Sequence, residues 1–143
     1  MSQLSQDDMR AYLRANGVPM KAVETVISGF DFSKPVYTQS LEPGQELYQF
    51  MRNPSYNDSS VRAGNWFCLR GATTNGLAIF GGGAGRRLHA YAVSLSLTAI
   101  EGTACSQSRN WSWAGGGEGG ATQIYIPPAL AGRLNALGPH DDW

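Results

Sequence analysis

In two short segments near the start of the chain, apolar residues recur every three or four residues, as they do on one face of an amphipathic helix. Ser5 is placed to cap the first segment, and Gly17 would end it. Pro19 would open the second segment, which would stop near Gly29. The pattern therefore predicts a helical hairpin within residues 1–33. The two apolar stripes consist of Met9, Tyr12 and Leu13, and of Met20, Val23, Val26 and Ile27.

Beyond Pro35 the pattern changes to the alternation that is typical of strands. The segments PVYTQSL and ELYQFM flank the turn pair Pro43-Gly44, and NWFCL and GLAIF are short strand candidates. The run LHAYAVSLSL predicts one longer strand with small residues along one face. The larger side chains that would share the other face are His89, Tyr91, Val93, Leu95 and Leu97.

The segment TQIYIPP follows directly after a glycine-rich stretch, WSWAGGGEGG. Thr122, Ile124 and Ile126 would share one face of a strand, which sets its buried side. Gln123 and Tyr125 would then point the other way, into solvent or a cleft. Because glycine gives the backbone unusual freedom, the stretch before this strand would serve as a hinge or lid.

Pro128 is placed to start a short C-terminal helix, PALAGRLNAL, that Gly138 would close. The predicted order is thus two helices, about six strands and one short helix. Because no helices alternate with the strands, this order predicts an α+β domain with a mainly antiparallel sheet. The length of 143 residues suits a single domain over 1–143, with a helical segment at 1–33 and a core at 34–143.

Composition indicates a globular chain whose charges are unevenly placed. Apolar residues make up 42% and charged residues 15% of the chain, and its net charge is zero. The positive side chains between residues 49 and 113 are all arginines, whose planar fork suits phosphate or carboxylate groups. This segment favours an anionic ligand, whereas zero net charge gives no strong attraction to nucleic acid. Its charged residues are Arg52, Arg62, Arg70, Arg86, Arg87 and Arg109, against Asp58 and Glu101.

Several common kinds of site lack their motifs in this sequence. Cys68 and Cys105 form no CxxC pair and are predicted to be small buried side chains. His89 and His140 have no ligand-like neighbours, so no metal site is predicted. No GxSxG occurs. Neither the glycine cluster GGGAGRR nor the glycine-rich stretch before Gln123 has the GK[ST] ending of a phosphate loop. No stretch is apolar enough to span a membrane, and the first residues do not have the pattern of a signal peptide.

Three short motifs, PVYTQSLEPGQELYQF, GNWF and GGATQIYIP, occur in an order that resembles a known family. Over residues 35–128 the chain is similar to the C-terminal toxin domains of Rhs-type and other polymorphic bacterial toxins. It most resembles polymorphic toxin type 46 and the TreTu-like ADP-ribosyltransferases. The resemblance implies an ADP-ribosyltransferase fold of split antiparallel sheets, here with an N-terminal helical hairpin, in which NAD binds as a substrate between the sheets.

The resemblance also implies which residues bind NAD. The first motif would lie on an early strand, LYQFMR, and the second, around GNWF, would form the aromatic wall of the nicotinamide pocket. In such enzymes the strand after a mobile loop carries a Glu or Gln that holds the ribose, and here the match is Gln123. Trp111 and Trp113 would stand at the base of that loop. The residues implied to bind NAD are Tyr48, Gln49, Arg52, Asn65, Trp66, Phe67 and Tyr125.

The chain departs from the family at the position two residues after Gln123. Many transferases carry a second carboxylate there, whereas this chain has Tyr125. Either Gln123 takes the catalytic position itself, which we favour, or Glu118 swings in from the loop. A glutamine can fix a ribose by hydrogen bonds but cannot act as a base. The acceptor would then be activated elsewhere or be water.

Three functions remain open at this point. The first, implied by the resemblance, is an antibacterial toxin that transfers ADP-ribose from NAD to a macromolecule, with elongation factor EF-Tu or ribosomal RNA as targets. The second is an NAD glycohydrolase toxin that depletes NAD, and the third is a non-enzymatic binding module. The resemblance further implies a cognate immunity protein as partner. It also implies secretion as part of a larger toxin polypeptide and delivery to the cytoplasm of the target cell.

Overall fold

The computed structural model describes residues 3–52, 66–73, 76–77, 86–106, 118–141 and 143, with the backbone alone for residues 51, 52 and 86. Within these residues the helices are α1 (Gln6–Ala15) and α2 (Met20–Ser28), and a 3-10 helix spans Pro128–Arg133. The strands are β1 (Tyr37–Leu41), β2 (Glu46–Arg52), β3 (Trp66–Cys68), β4 (Arg86–Val93), β5 (Leu97–Thr103), β6 (Thr122–Tyr125) and β7 (Leu134–Pro139).

The N-terminal helical hairpin is confirmed, and its ends follow from local chemistry. The Ser5 hydroxyl accepts a hydrogen bond from the Asp8 amide (3.0 Å), and the Asp8 carboxylate accepts one from the Ser5 amide (3.2 Å). These two bonds form a capping box at the start of α1. Gly17, with φ at +81°, turns the chain after α1, and Gly29 caps α2. Neither described helix has the length and apolar character needed to cross a membrane.

All seven described strands belong to one antiparallel sheet, in the order β1-β5-β6-β3-β2-β4-β7. In the described part of the chain β2 and β3 pair only through Tyr48 and Cys68. Every other pair of neighbouring strands is joined over at least three residues. Among the described residues this pairing of β2 with β3 is the narrowest in the sheet, and it lies between the strand groups β1-β5-β6-β3 and β2-β4-β7. The division into two sheets that the resemblance implied is not seen among the described strands, which form one continuous sheet.

Both faces of the sheet are covered. On one face lie two separate groups, which we call the helix-side cluster and the β2–β4 cluster. The helix-side cluster consists of Met9, Leu13, Val18, Val23, Val26, Ile27, Phe30, Val36, Ile100 and Tyr125. The β2–β4 cluster consists of Tyr48, Cys68, Leu88 and Ala90. The opposite-face cluster, against which Leu130 of the 3-10 helix packs, consists of Leu41, Leu47, Phe67, Tyr91, Val93, Leu97, Ala99, Ile124 and Ile126.

The run LHAYAVSLSL does not form the single strand that was predicted. β4 ends at Val93, residues 94–96 turn the chain, and β5 begins at Leu97. The Val93 carbonyl accepts a hydrogen bond from the Gly44 amide (2.9 Å), and Leu95 in the turn is 61% exposed. The alternation of large and small residues continues through this turn, so the hydrophobic pattern did not mark the break.

The predicted C-terminal helix is wrong over its second half. Only Pro128–Arg133 is helical, as a 3-10 helix, and the chain then continues as β7. β7 pairs antiparallel with β4, with Leu134 opposite Val93. This pairing supplies partners for backbone groups of β4 that would otherwise form a sheet edge. A local helical pattern cannot report such a contact, because the partner strand is distant in the sequence.

At Gly102 of β5 the sheet packs so closely against the segment after α2 that a side chain has no room. A Cβ at this position would lie 2.7 Å from Cδ1 of the buried Phe30 ring and 3.2 Å from a methyl group of Val36. We expect Gly102→Ala to lower the free energy of unfolding by about 1–3 kcal/mol, because the buried ring must shift. Urea denaturation followed by circular dichroism measures this change. Gly132→Ala is the control, since a Cβ there meets nothing within 4 Å; equal stability of the two variants would contradict the packing.

Candidate functional site

The three motif segments lie on neighbouring strands in the middle of the sheet, in the order β6-β3-β2. Gln123 of β6 lies opposite Cys68 of β3, which in turn lies opposite Tyr48 of β2. Directly opposed residues of antiparallel strands share a face, so these three side chains form a row across the strands. Trp66 and Tyr125 form a second opposed pair on the same face. The structure thus brings together residues from all three predicted motifs.

Gln123 is anchored to the end of α2. Its Nε2 donates a hydrogen bond to the carbonyl oxygen of Gly29 (2.6 Å), and the side chain is 6% exposed. The same carbonyl oxygen accepts a second hydrogen bond, from the backbone amide of Cys105 (2.9 Å). The Gln123 amide is therefore held in one orientation where a helix end and two strands meet.

Trp66 is held in place from three sides. Its ring lies 5.2 Å from the Phe30 ring and 4.9 Å from the Tyr125 ring, measured between centroids. Gly29 lies under its edge, where a Cβ would come within 2.9 Å of the Trp66 Cη2 atom. The Trp66 side chain is only partly buried. A fixed and partly accessible indole of this kind can serve as a stacking surface for an aromatic ligand.

Tyr125 lies in the core and does not face solvent. It is 3% exposed and packs in the helix-side cluster, which covers the face that the sequence analysis had left open to solvent or a cleft. Burial raises the pKa of the Tyr125 hydroxyl, so the group stays protonated at neutral pH. As placed here, Tyr125 supports the Trp66 ring by a T-shaped contact.

Phe67 and Gln49 lie on the other face of the sheet. Phe67 is buried in the opposite-face cluster, where its ring meets Tyr91 at 5.4 Å, so it does not share a pocket with Trp66. Gln49 Nε2 donates to the carbonyl oxygen of Trp66 (2.9 Å), and its Oε1 accepts from the Tyr91 hydroxyl (3.3 Å). The Gln49 amide thus bridges the place where β2 and β3 stop pairing, which gives it a structural role.

Tyr48 lies at the centre of a cluster that the sequence analysis did not predict. Its hydroxyl donates to Glu46 (2.7 Å) and accepts from Arg70 Nη2 (2.9 Å). The rings of Trp143 and His140 approach the Tyr48 ring edge-on, with centroids 4.8 and 5.2 Å away. The hydrogen bond to Glu46, followed by burial, raises the pKa of Tyr48. No local signal could have found this cluster, since its members come from distant parts of the chain.

Cys68, between Gln123 and Tyr48 in the row, is a packing residue. It is fully buried, as the sequence analysis predicted, and burial raises the pKa of its thiol to about 12. The thiol is therefore protonated at neutral pH and is a poor nucleophile. Cys105 is partly exposed, and both cysteines are free thiols. In the described ranges no group of three His, Cys, Asp or Glu side chains could hold a metal ion.

The C-terminal end of the glycine-rich stretch is fixed against β5. Gly119, with φ at +80°, lies so close to Ala104 that a Cβ would be 2.6 Å from the Ala104 carbonyl oxygen. The Gly120 amide donates to that same oxygen (3.0 Å), and Glu118 just before it is exposed. Glycine is required here by close backbone approach. The predicted site residues that fall outside the described residues are Asn65, Trp111, Trp113 and the side chain of Arg52.

Because Gln123 is anchored to Gly29, its substitution is expected to affect the stability of the fold. Gln123→Ala removes one of the two donors to the Gly29 carbonyl oxygen, and we expect it to lower the free energy of unfolding by about 1–3 kcal/mol. Thermal and urea unfolding measure the effect, with Gln39→Ala on the edge strand β1 as the control. A Gln123→Ala protein as stable as this control would argue against the anchor.

Comparisons with known proteins identify structures that share this fold. No family model matches the chain, and no curated protein matches it. Its structure is similar to that of Tse6 in complex with Tsi6, with a TM-score of 0.71 and 20% identity over 92% of this chain and 93% of that one. It is also similar to Rhs1-CT in complex with its cognate immunity protein RhsI1, with a TM-score of 0.55 and 19% identity over 80% and 84% of the two chains. At these identities the likeness establishes a shared fold.

Proposed function

We propose that this chain is an NAD glycohydrolase toxin, which cleaves the bond between nicotinamide and ribose and passes ADP-ribose to water. The observation that carries the proposal is the placement of Gln123, Trp66 and Tyr125 on two neighbouring strands. An anchored amide and an aromatic stacking surface lie close together, while the position two residues after the amide holds a buried tyrosine. The site therefore has groups that would bind the nicotinamide riboside but no second carboxylate on β6.

Gln123 would hold the nicotinamide ribose. Because Nε2 is engaged by Gly29, the amide plane is fixed, and Oε1 is the end that would accept a hydrogen bond from a ribose hydroxyl. Loss of nicotinamide passes through an oxocarbenium-like state. A polar group that is already oriented stabilises developing charge without reorganising during the reaction. The proposed role of Gln123 is thus positioning and electrostatic stabilisation.

Trp66 would form the wall against which nicotinamide stacks. Its contacts with Phe30 and Tyr125 fix the plane of the indole, and the side chain keeps part of its surface accessible. A fixed aromatic surface binds a planar ring at a low cost in conformational entropy. This arrangement favours a site that binds NAD by shape and stacking next to the anchored amide.

The buried tyrosine favours water over a macromolecular acceptor. A carboxylate at this position would be available to take a proton from an incoming nucleophile. Tyr125 is unsuited to that task, because it packs beneath the helices and burial raises its pKa. Water needs less help from a dedicated binding surface than a protein or RNA acceptor would. We therefore place hydrolysis first and transfer second.

Transfer of ADP-ribose to EF-Tu or ribosomal RNA is the second candidate function. One observation favours it: Glu118 is exposed, five residues before Gln123, at the end of the glycine-rich stretch. An exposed carboxylate near the reacting ribose could serve an acceptor that docks from outside. In this case Glu118 would act as the base that β6 lacks.

The proposed biological role is that of a toxin domain delivered to a competing bacterium as part of a larger secreted polypeptide. Support comes from the shared fold with Rhs1-CT, whose structure contains a cognate immunity protein. A domain that destroys NAD would harm the cell that makes it, so a neutralising partner is expected here as well. The three motifs in their family order add to this support.

A labelling experiment distinguishes the three functions. The protein is incubated with NAD labelled in its adenylate phosphate, first alone and then with a bacterial lysate. We expect free ADP-ribose and nicotinamide in both cases, because water would be the acceptor. Label on a protein or RNA that appears only with lysate would instead support transfer. NAD that stays intact under both conditions would refute both enzymatic functions and favour a binding module.

Matched variants assign the activity to the site. We expect Gln123→Met, which keeps the side-chain volume but removes the amide, to lose at least about two orders of magnitude in kcat. Gln39→Met is the control and should retain full activity. Glu118→Gln should retain hydrolysis but would lose transfer. Each variant is compared at a temperature well below its unfolding midpoint, since Gln123 also supports the fold.

A further inference from the structure

We propose that Arg70 and Trp143 form a binding subsite for the adenosine diphosphate half of NAD, an inference that rests on the proposed function. Neither residue was predicted as part of the site from the motifs. Together with Tyr48 and His140 they make up what we call the Arg70 cluster. Arg70 would bind the pyrophosphate, and the exposed part of the Trp143 ring would stack on the adenine.

The Arg70 guanidinium is oriented by Tyr48. Its Nη2 donates to the Tyr48 hydroxyl (2.9 Å), and that hydroxyl is itself fixed by donating to Glu46 (2.7 Å). The Arg70 Cζ atom lies 5.4 Å from the centre of the Tyr48 ring and 5.9 Å from that of Trp143. The Arg70 side chain is nevertheless exposed, so its other donors can reach a ligand. An arginine held in this way offers a planar fork for phosphate oxygens.

Trp143 combines a fixed position with an accessible ring. The indole Nε1 donates to the carbonyl oxygen of Ala72 (3.0 Å), and the ring meets Tyr48 edge-on with an interplanar angle of 88°. His140 lies beside it, with centroids 5.8 Å apart. Even so, 42% of the Trp143 surface is exposed. Exposed tryptophan rings with fixed orientation are surfaces on which nucleobases stack.

The spacing of the sheet relates this cluster to the proposed ribose site. Gln123, Cys68 and Tyr48 are opposed in turn on three neighbouring strands. Strands lie about 4.8 Å apart, so the backbone positions of Gln123 and Tyr48 are about 10 Å from each other. In NAD the pyrophosphate is joined directly to the nicotinamide ribose. Tyr48 holds the exposed Arg70 guanidinium, so a dinucleotide whose ribose lies at Gln123 would bring its phosphates to Arg70 by spanning about 10 Å above the buried Cys68.

The charges around the cluster are compatible with an anion. The Glu46 carboxylate is hydrogen-bonded to the Arg70 cluster through Tyr48. It accepts a hydrogen bond from the Tyr48 hydroxyl, and Arg70 donates one to that same hydroxyl. Among the described residues no salt bridge joins Arg70 to a carboxylate. Within the described part of the chain the Arg70 charge is thus not neutralised by an ion pair, which is consistent with a role in binding a ligand phosphate.

Ligand titration by isothermal calorimetry tests the proposal on the full chain, with ADP, inorganic pyrophosphate and adenosine as probes. We expect Arg70→Met to weaken ADP and pyrophosphate binding by about tenfold or more, because a charge-assisted hydrogen bond is lost. The affinity of Arg70→Lys for ADP and pyrophosphate should fall between those of the wild type and Arg70→Met, since lysine keeps the charge but not the planar fork. Trp143→Leu should weaken ADP and adenosine by about tenfold but leave pyrophosphate unchanged. Arg14→Met, an exposed arginine of α1, is the control.

Kinetics separate this inference from the proposed function. If both hold, Arg70→Met raises KM for NAD about tenfold with kcat nearly unchanged, because the reacting bond lies elsewhere. ADP binding that depends on Arg70 in a protein that leaves NAD intact would refute the hydrolase and keep the subsite. NAD cleavage with ADP affinity and KM unaffected by Arg70→Met would overturn the subsite and keep the hydrolase. Wild-type protein that binds none of the probes at millimolar concentration would also overturn it.

Discussion

The carbonyl oxygen of Gly29 is the group on which the arrangement of the site depends. It accepts hydrogen bonds from the Cys105 amide and from Gln123 Nε2, and so joins the end of α2 to the segment after β5 and to β6. The same residue lets Trp66 approach, since a Cβ at Gly29 would collide with the indole. One glycine thus fixes both the amide and the aromatic ring of the proposed nicotinamide site.

This arrangement couples stability to function. Gln123 is both a structural anchor and the proposed ribose-binding group, so a sequence change at this position affects the fold and the chemistry together. Tyr125 shows the reverse case: it occupies the position for which the resemblance implied a carboxylate, but here it supports Trp66 from the core. A motif position therefore does not by itself show whether its residue supports the fold or takes part in the chemistry. The packing around the side chain distinguishes the two roles.

Local features of the fold were predictable from the sequence, and long-range ones were not. The helix cap at Ser5 and the end of α2 at Gly29 depend on neighbouring residues, and both were correctly predicted. Strand β7 depends on pairing with β4, and the Arg70 cluster depends on contacts between segments far apart in the chain. Phe67 is a different case, because strand alternation alone already places it on the face opposite Trp66.

Alternation also predicts less about exposure when both faces of a sheet are covered. Ile124 and Tyr125 point to opposite faces of β6, yet both are buried, in the opposite-face cluster and the helix-side cluster. A ligand can then reach this face only at side chains that keep accessible surface, such as Trp66 and Arg70. The row from Gln123 through Cys68 to Tyr48 runs from the edge of the helix-side cluster into the β2–β4 cluster. It crosses from β3 to β2 at Cys68 and Tyr48, the one pair that joins these strands among the described residues, and Gln49 bonds the two strands from the other face. The proposed site is therefore placed towards the two ends of this row, where Trp66 and Arg70 keep accessible surface, and not over its buried middle.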